Sequence, residues 1–156
     1  MQRKLLCISD NSTECKTAVL FAAKRAALNG SQLVILRVIE PPENSLLSTI
    51  GDAIIDDLRL EALDKLQSLH KFAKENAGID AQIIIREGDL SREISNLIDE
   101  DLEIKTLFLA TSSAKSGPGP ILSAATRGAL ILGKRRVGIM IIPAGLSDDE
   151  ILELAG

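Results

Sequence analysis

An acid directly after an apolar run, and a loop of small polar residues after another, are the features of this chain best suited to chemistry. Asp10 follows the run Lys4 to Ser9, and Thr111-Ser112-Ser113-Ala114-Lys115-Ser116-Gly117-Pro118-Gly119-Pro120 follows Ile104 to Ala110. A carboxylate at such a strand end accepts hydrogen bonds from a base or ribose, or binds a metal that accompanies phosphates. It serves equally well to turn the chain into the next helix. The backbone amides of the second loop, with the helix N-terminus behind them, can face a phosphate. Gly117 and Gly119 each precede a proline, which has no amide to donate, so this loop offers fewer phosphate-facing N–H groups than a Gly/Ser loop would.

Other reactive patterns dissolve on inspection. Gly128, Gly133 and Lys134 reproduce the spacing of a phosphate-binding P-loop, but Arg135 replaces the Ser or Thr that would hold magnesium, and Ala129 to Leu132 read as helix. Lys134, Arg135 and Arg136 are expected instead to complement the negative end of the helix before them. Cys7, on an expected buried strand, and Cys15, on a helix, read as ordinary reduced residues with no disulfide and no metal role. His70 stands alone on a long helical pattern and is assigned no chemistry. No paired carboxylates and no Ser/His/Asp or Cys/His set is visible, so no catalytic residue and no metal site is expected. Asp56, Asp57, Glu61 and Asp64 read as a solvated helix face, and Asp99, Glu100, Asp101 and Glu103 as a polar connector.

A net charge of -4 and a pI near 5.1 disfavour nucleic acid and anionic lipid surfaces as partners. With no Trp, no Tyr and three Phe, the chain also lacks stacking platforms for single strands. No apolar run reaches the length of a membrane span, and the N-terminal residues pass straight into a strand pattern, so a cytoplasmic protein is expected.

The elements that must position Asp10 and the loop follow from the hydrophobic pattern. Lys4 to Ser9, Gln32 to Ile39, Ala81 to Arg86, Ile104 to Ala110 and Val137 to Ile142 are apolar runs without polar alternation, as expected of strands covered on both faces. Helical patterns separate them: Thr13 to Leu28, capped by Ser12 or Thr13 and stopped at Asn29-Gly30; the stripe Ile55, Leu58, Ala62, Leu66, Leu69, Ala73 ending near Gly78; a helix after Gly88-Asp89 with Ile94, Leu97 and Ile98 inward; and one marked by Leu122, Ala125, Ala129 and Leu132. Pro41 opens a surface excursion of about ten residues. Ser147-Asp148-Asp149-Glu150 reads as a capping box opening a short amphipathic helix. The alternation predicts a doubly wound α/β fold with a five-stranded parallel sheet between helices. Its ligand site should lie where strand order reverses. If the first and fourth strands flank that point, Ser9, Asp10 and Asn11 face Ala110 to Gly119 across it.

With these elements in order, the chain resembles the universal stress protein family. Cys7-Ile8-Ser9-Asp10-Asn11-Ser12 looks like its opening strand and D-x-S step, Leu36-Arg37-Val38-Ile39-Glu40-Pro41 like its L-H-V-x-x-P second strand, and Arg86-Glu87-Gly88-Asp89 like its x-x-G-D step. The resemblance implies a domain over residues 1–143, followed by a tail over 144–156 with a short helix. It implies a stress-response binding or regulatory module rather than a metabolic enzyme, with an ATP-binding switch of slow hydrolysis as the alternative. Nucleotide-binding members carry G-x-x-G after the fourth strand and, nine residues on, G-S or G-T. Here Ala110 and Ser113 stand at the first two glycines. Allowing two extra residues in the Gly-Pro-Gly-Pro loop, Ala125-Thr126 stands at the last; an ungapped count lands on Ser123-Ala124. A Cβ at each former glycine obstructs close approach to phosphates, so ATP is expected to bind weakly if it binds. The residues implied to contact an adenine nucleotide are Ser9, Asp10, Val38, Ala110, Thr111, Ser113, Gly117, Gly119 and Thr126. The resemblance further implies a homodimer through the final strand, with Val137, Ile139, Met140, Ile141 and Ile142 at the contact.

Overall fold

Runs of Ile, Leu and Val without polar alternation leave a strand no solvent face, and in the computed structural model these runs form a sheet whose central strands are buried and whose two edge strands are partly exposed. Residues 2–10, 12–42, 49–111 and 134–156 are described. The elements are β1 (Lys4–Ile8), α1 (Glu14–Asn29), β2 (Gln32–Ile39), α2 (Thr49–Ala77), β3 (Gln82–Glu87), α3 (Leu90–Glu100), β4 (Ile104–Ala110), β5 (Gly138–Ile142) and α4 (Asp148–Ala155). All strand pairings are parallel, in the order β3-β2-β1-β4-β5. The expected five-stranded α/β fold is therefore present, and β1 and β4 are the central neighbours at which the order reverses. The helix expected around Leu122, Ala125, Ala129 and Leu132 lies outside the described residues.

Alternate residues along each strand supply two cores. Leu5, Cys7, Leu33 and Ile35 pack under α1 and α2 with Leu66, Leu69 and Ala73, and α4 adds Ile151 and Ala155 to the same side. Leu6, Ile8, Val34, Leu36, Leu107 and Leu109 pack on the other face under Ile94, Leu97 and Ile98 of α3. Two successive crossovers run on one face and the chain then returns on the opposite face, as right-handed connections require.

Local signals account for most boundaries. Gly30 and Gly78 end α1 and α2 in the left-handed region, at φ 73° and 68°, which only glycine adopts without strain. Asp89 caps α3 by accepting from the Arg92 amide, and Ser147 and Glu150 complete the capping box of α4. At α1 the expected cap is absent. Thr13 occupies the N-cap position without a side-chain bond, and Ser12 instead donates both its amide and its hydroxyl to Asp10 Oδ1, at 2.9 and 2.5 Å. Three strand ends are shorter than expected: Ser9, Ala81 and Val137 lie just outside β1, β3 and β5.

The helix whose negative end the basic run is expected to complement lies outside the described residues, and the run makes a second contact, with α3. The amides of Lys134 and Arg135 donate to the Asp99 carboxylate at 3.0 to 3.1 Å. The Arg135 guanidinium donates to the carbonyls of Ile98 and Asp101 at the C-terminal end of α3. The cation thus serves the negative end of α3. The acids of this polar connector are partnered: Glu100 pairs with Arg86, while Asp101 and Glu103 hold Lys4.

Candidate functional site

The carboxyl ends of β1 and β4 lie side by side at the centre of the sheet, with Ser9 and Asp10 after the first and Ala110 and Thr111 at the end of the second. Ser9 extends the ladder by one bond, its amide donating to Leu36 O at 2.7 Å, and Arg37 Nη1 donates back to Ser9 O at 3.2 Å. That guanidinium ties the tops of β1 and β2 together. Asp10 follows, its carboxylate held by Ser12. On the other side, the Thr111 amide donates to Ile142 O at 2.9 Å, and Thr111 Oγ1 accepts from the Ala144 amide at 2.8 Å. Thr111 thereby pins the chain leaving β5.

The sheet separates the expected residues by face. Val38 continues the alternation of Val34 and Leu36 and packs toward α3, whereas Ala110 packs toward α1. Ser9 continues the alternation of Leu5 and Cys7, toward α1 and α2. There a cavity of about 260 Å³ opens at the end of β1. Ser9, Asp10, Ser12, Cys15 and Lys16 form its β1–α1 wall, and Asp64, Lys65, Ser68 and Leu69 of α2 face them. Val38, Ala110 and Thr111 do not line it. Ser113, Gly117, Gly119 and Thr126 lie outside the described residues.

The chemistry available in this cavity is ionic and hydrogen-bonding rather than nucleophilic. Burial pushes the Cys15 thiol up to about 11, and it donates to Ile8 O. Burial raises the Cys7 thiol too, and it points to Ala18 O. Neither is a thiolate near neutral pH. Ser9 is only 4% exposed, and its Oγ has no hydrogen-bond partner among the described residues. Such an orphan is rare in a native core and marks a place where a partner is wanted. His70 stands apart, its Nδ1 3.0 Å from Ala81 O at the far end of α2.

Sequence reasoning did not gather Lys16, Asp64, Lys65 and Ser68, because only the packing of α1 on α2 brings them together. Arg37 did leave a signal: it is a lone cation within the apolar run of β2. At the other end of the sheet, β5 lies at the edge. Ile142 is buried in its own core at 1% exposure, Val137, Ile139 and Met140 are half-buried, and Ile141 is 45% exposed. No helix among the described residues is long and apolar enough to cross a membrane.

Comparison with known proteins gives this geometry its context. The sequence matches the model of the universal stress protein family over residues 1–127. Among curated proteins, no sequence matches this chain. Among solved structures, the chain is similar to the universal stress protein UspA from Lactobacillus plantarum, with a TM-score of 0.74 at 17% identity, over 90% of this chain and 97% of that one. It is also similar to a universal stress protein in complex with cAMP, with a TM-score of 0.62 at 18% identity over 91% and 97% of the two chains. A universal stress protein from Archaeoglobus fulgidus in complex with dAMP matches with a TM-score of 0.59 at 12% identity, over 89% and 97%. At these identities the structural likeness speaks to the fold, and the fold agrees with the match of the family model across most of the sequence. This chain belongs to the universal stress protein family.

Proposed function

We propose that the protein is a stress-response binding or regulatory module that takes an adenine nucleotide weakly at the carboxyl ends of β1 and β4. The observation that carries this reading is the reversal of strand order at those two strands, with Asp10 fixed at the rim by Ser12. Similar proteins in complex with cAMP and with dAMP support the ligand class. Weakness follows from Ala110, Ser113 and Ala125, each of which adds a Cβ where nucleotide-binding relatives keep glycine. The proline-interrupted loop after Thr111 offers few amides to compensate. Binding, rather than turnover, is the activity proposed.

The proposed assembly is a homodimer through β5, in which two copies pair antiparallel across a two-fold axis. Ile141 is the most exposed apolar side chain of that edge, and Leu152 and Leu154 of α4 are exposed as well.

Titration calorimetry with AMP and with magnesium ATP tests the nucleotide reading. The expected result is saturable binding with Kd weaker than about 1 μM, a free energy smaller than about 8 kcal/mol. No saturable heat with either nucleotide at millimolar concentration would overturn it.

A further inference from the structure

β3 is the edge strand on the opposite side of the sheet from β5, and it pairs with β2 alone. The Gly88 amide donates inward, to Ile39 O, so by alternation the peptide groups of Ile83, Ile85 and Glu87 point outward. Those backbone groups have no hydrogen-bond partner among the described residues. Beside this edge, on the α2 side, runs a groove of about 570 Å³ between Leu60, Leu63 and Ile85, rimmed by Asp56, Arg59 and Glu87. Leu60 is 68% exposed, more than any other large apolar side chain described, and Leu63 is 38% exposed.

The stripe of α2 that contributes to the groove recurs at intervals of four and three residues: Asp52, Asp56, Leu60, Leu63, Gln67 and Lys71, all exposed. It is acidic at one end, apolar in the middle and basic at the other, so it complements a reversed copy of itself. With Leu60 opposite Leu63 of a second copy, Asp56 meets Gln67 and Asp52 meets Lys71, each pair twice. A copy running in the same direction would set acid against acid instead. Pairs within one chain leave this pattern standing. Arg59 bridges Asp56 at 2.9 Å and also holds Glu87, but Asp52 has no ion-pair partner among the described residues. Lys71 holds Glu75 only at 3.8 Å, with both side chains exposed, whereas Lys74 is committed to Asp80 at 3.0 Å.

The sheet sets the distance. α2 packs on β2 and β3 about equally, so it lies above the gap between them. With strands about 4.8 Å apart, a two-fold axis at the outer edge of β3 puts the two α2 helices about 10 Å apart on one face of a joined sheet. Packed helices lie about 8–10 Å apart, so the operation that pairs the open strand edge also fills the groove. In the strand pair Ile85 lies opposite Ile85, and Glu87 opposite Ile83, so no like charges oppose each other. We infer that α2 and β3 form a two-fold contact with a second copy of this chain, at the edge remote from the proposed β5 contact and independent of it. Where both contacts form, they alternate along an open row of copies.

The test is a dilution series of the full chain by heteronuclear NMR, from about 1 mM downward, with sedimentation equilibrium on the same samples. The amides of Leu60, Leu63, Ile85 and Glu87 should shift with concentration as the mass rises, while shifts in residues 138–142 report the β5 contact separately. Leu60→Asp combined with Leu63→Asp, both on exposed side chains, should weaken the α2–β3 association about tenfold or more. Asp52→Lys should weaken it several-fold, and adding Lys71→Asp should restore it, which a mere change in folding would not do. The inference is overturned if the α2 and β3 amides show no dependence on concentration up to about 1 mM, or if shifts are confined to β5. Unchanged association in the Leu60 and Leu63 variant overturns it, as does a double charge variant that associates no better than Asp52→Lys alone.

Discussion

At the scale of single residues, Asp99 shows how much of this fold depends on one side chain accepting backbone donors. The amides of Lys134 and Arg135 hold its carboxyl below the ordinary 3.8, and the two neighbouring cations act in the same direction. A depressed folded-state pKa means that the contribution is present at neutral pH, above 3.8, and is lost as pH falls through the lowered value. Asp99→Asn should therefore destabilise the protein at neutral pH, and the gap from the parent should close as the medium is made more acidic than 3.8. Urea melts of both proteins across that range check this, and a gap independent of pH would contradict it. None of this was legible from residue types alone, since Asp99 and Lys134 are joined only by the return of the chain from α3 to β5. Asp10 was legible, because an acid directly after a buried strand stands out. Its engagement by Ser12 was not, because Ser12 serves equally well as a helix cap and as a donor to a neighbouring carboxylate.

At the scale of elements, the strands were read from continuous apolar runs and the helix ends from Asn29-Gly30, Gly78 and Gly88-Asp89, because those signals act locally. Errors fell at Ser9, Ala81 and Val137, each of which stands one residue outside its strand. Polar cavity residues were the least legible. Asp64 and Ser68 follow the solvated pattern of α2, and only the packing of that helix on α1 turns them toward Lys16. The capping box of α4 was visible in Ser147 and Glu150, and the docking of that helix is the part the structure adds. Ile151 is 2% exposed within the core shared with α1. Ile151→Ala should cost about 2–5 kcal/mol, as expected for truncating a buried Ile. A loss under about 0.5 kcal/mol in denaturant unfolding, the range of ordinary surface substitutions, would mean that α4 is not docked in solution.

At the scale of the whole molecule, the order β3-β2-β1-β4-β5 has two consequences, a central crevice and an exposed edge. The edge argues for assembly. Ile141→Pro removes an amide donor and an apolar side chain from β5, and should give monomer or insoluble protein. Sedimentation equilibrium that finds the parent monomeric at micromolar concentration, or this variant dimeric as before, would place the contact elsewhere. The crevice carries the central claim, that nucleotide is held weakly because Cβ atoms stand where relatives keep glycines. Mass analysis of the small molecules released on denaturing the purified protein tests it most directly. Adenine nucleotide is expected far below one per chain, since an affinity weaker than about 1 μM is lost during purification; one ATP released per chain would contradict weak binding.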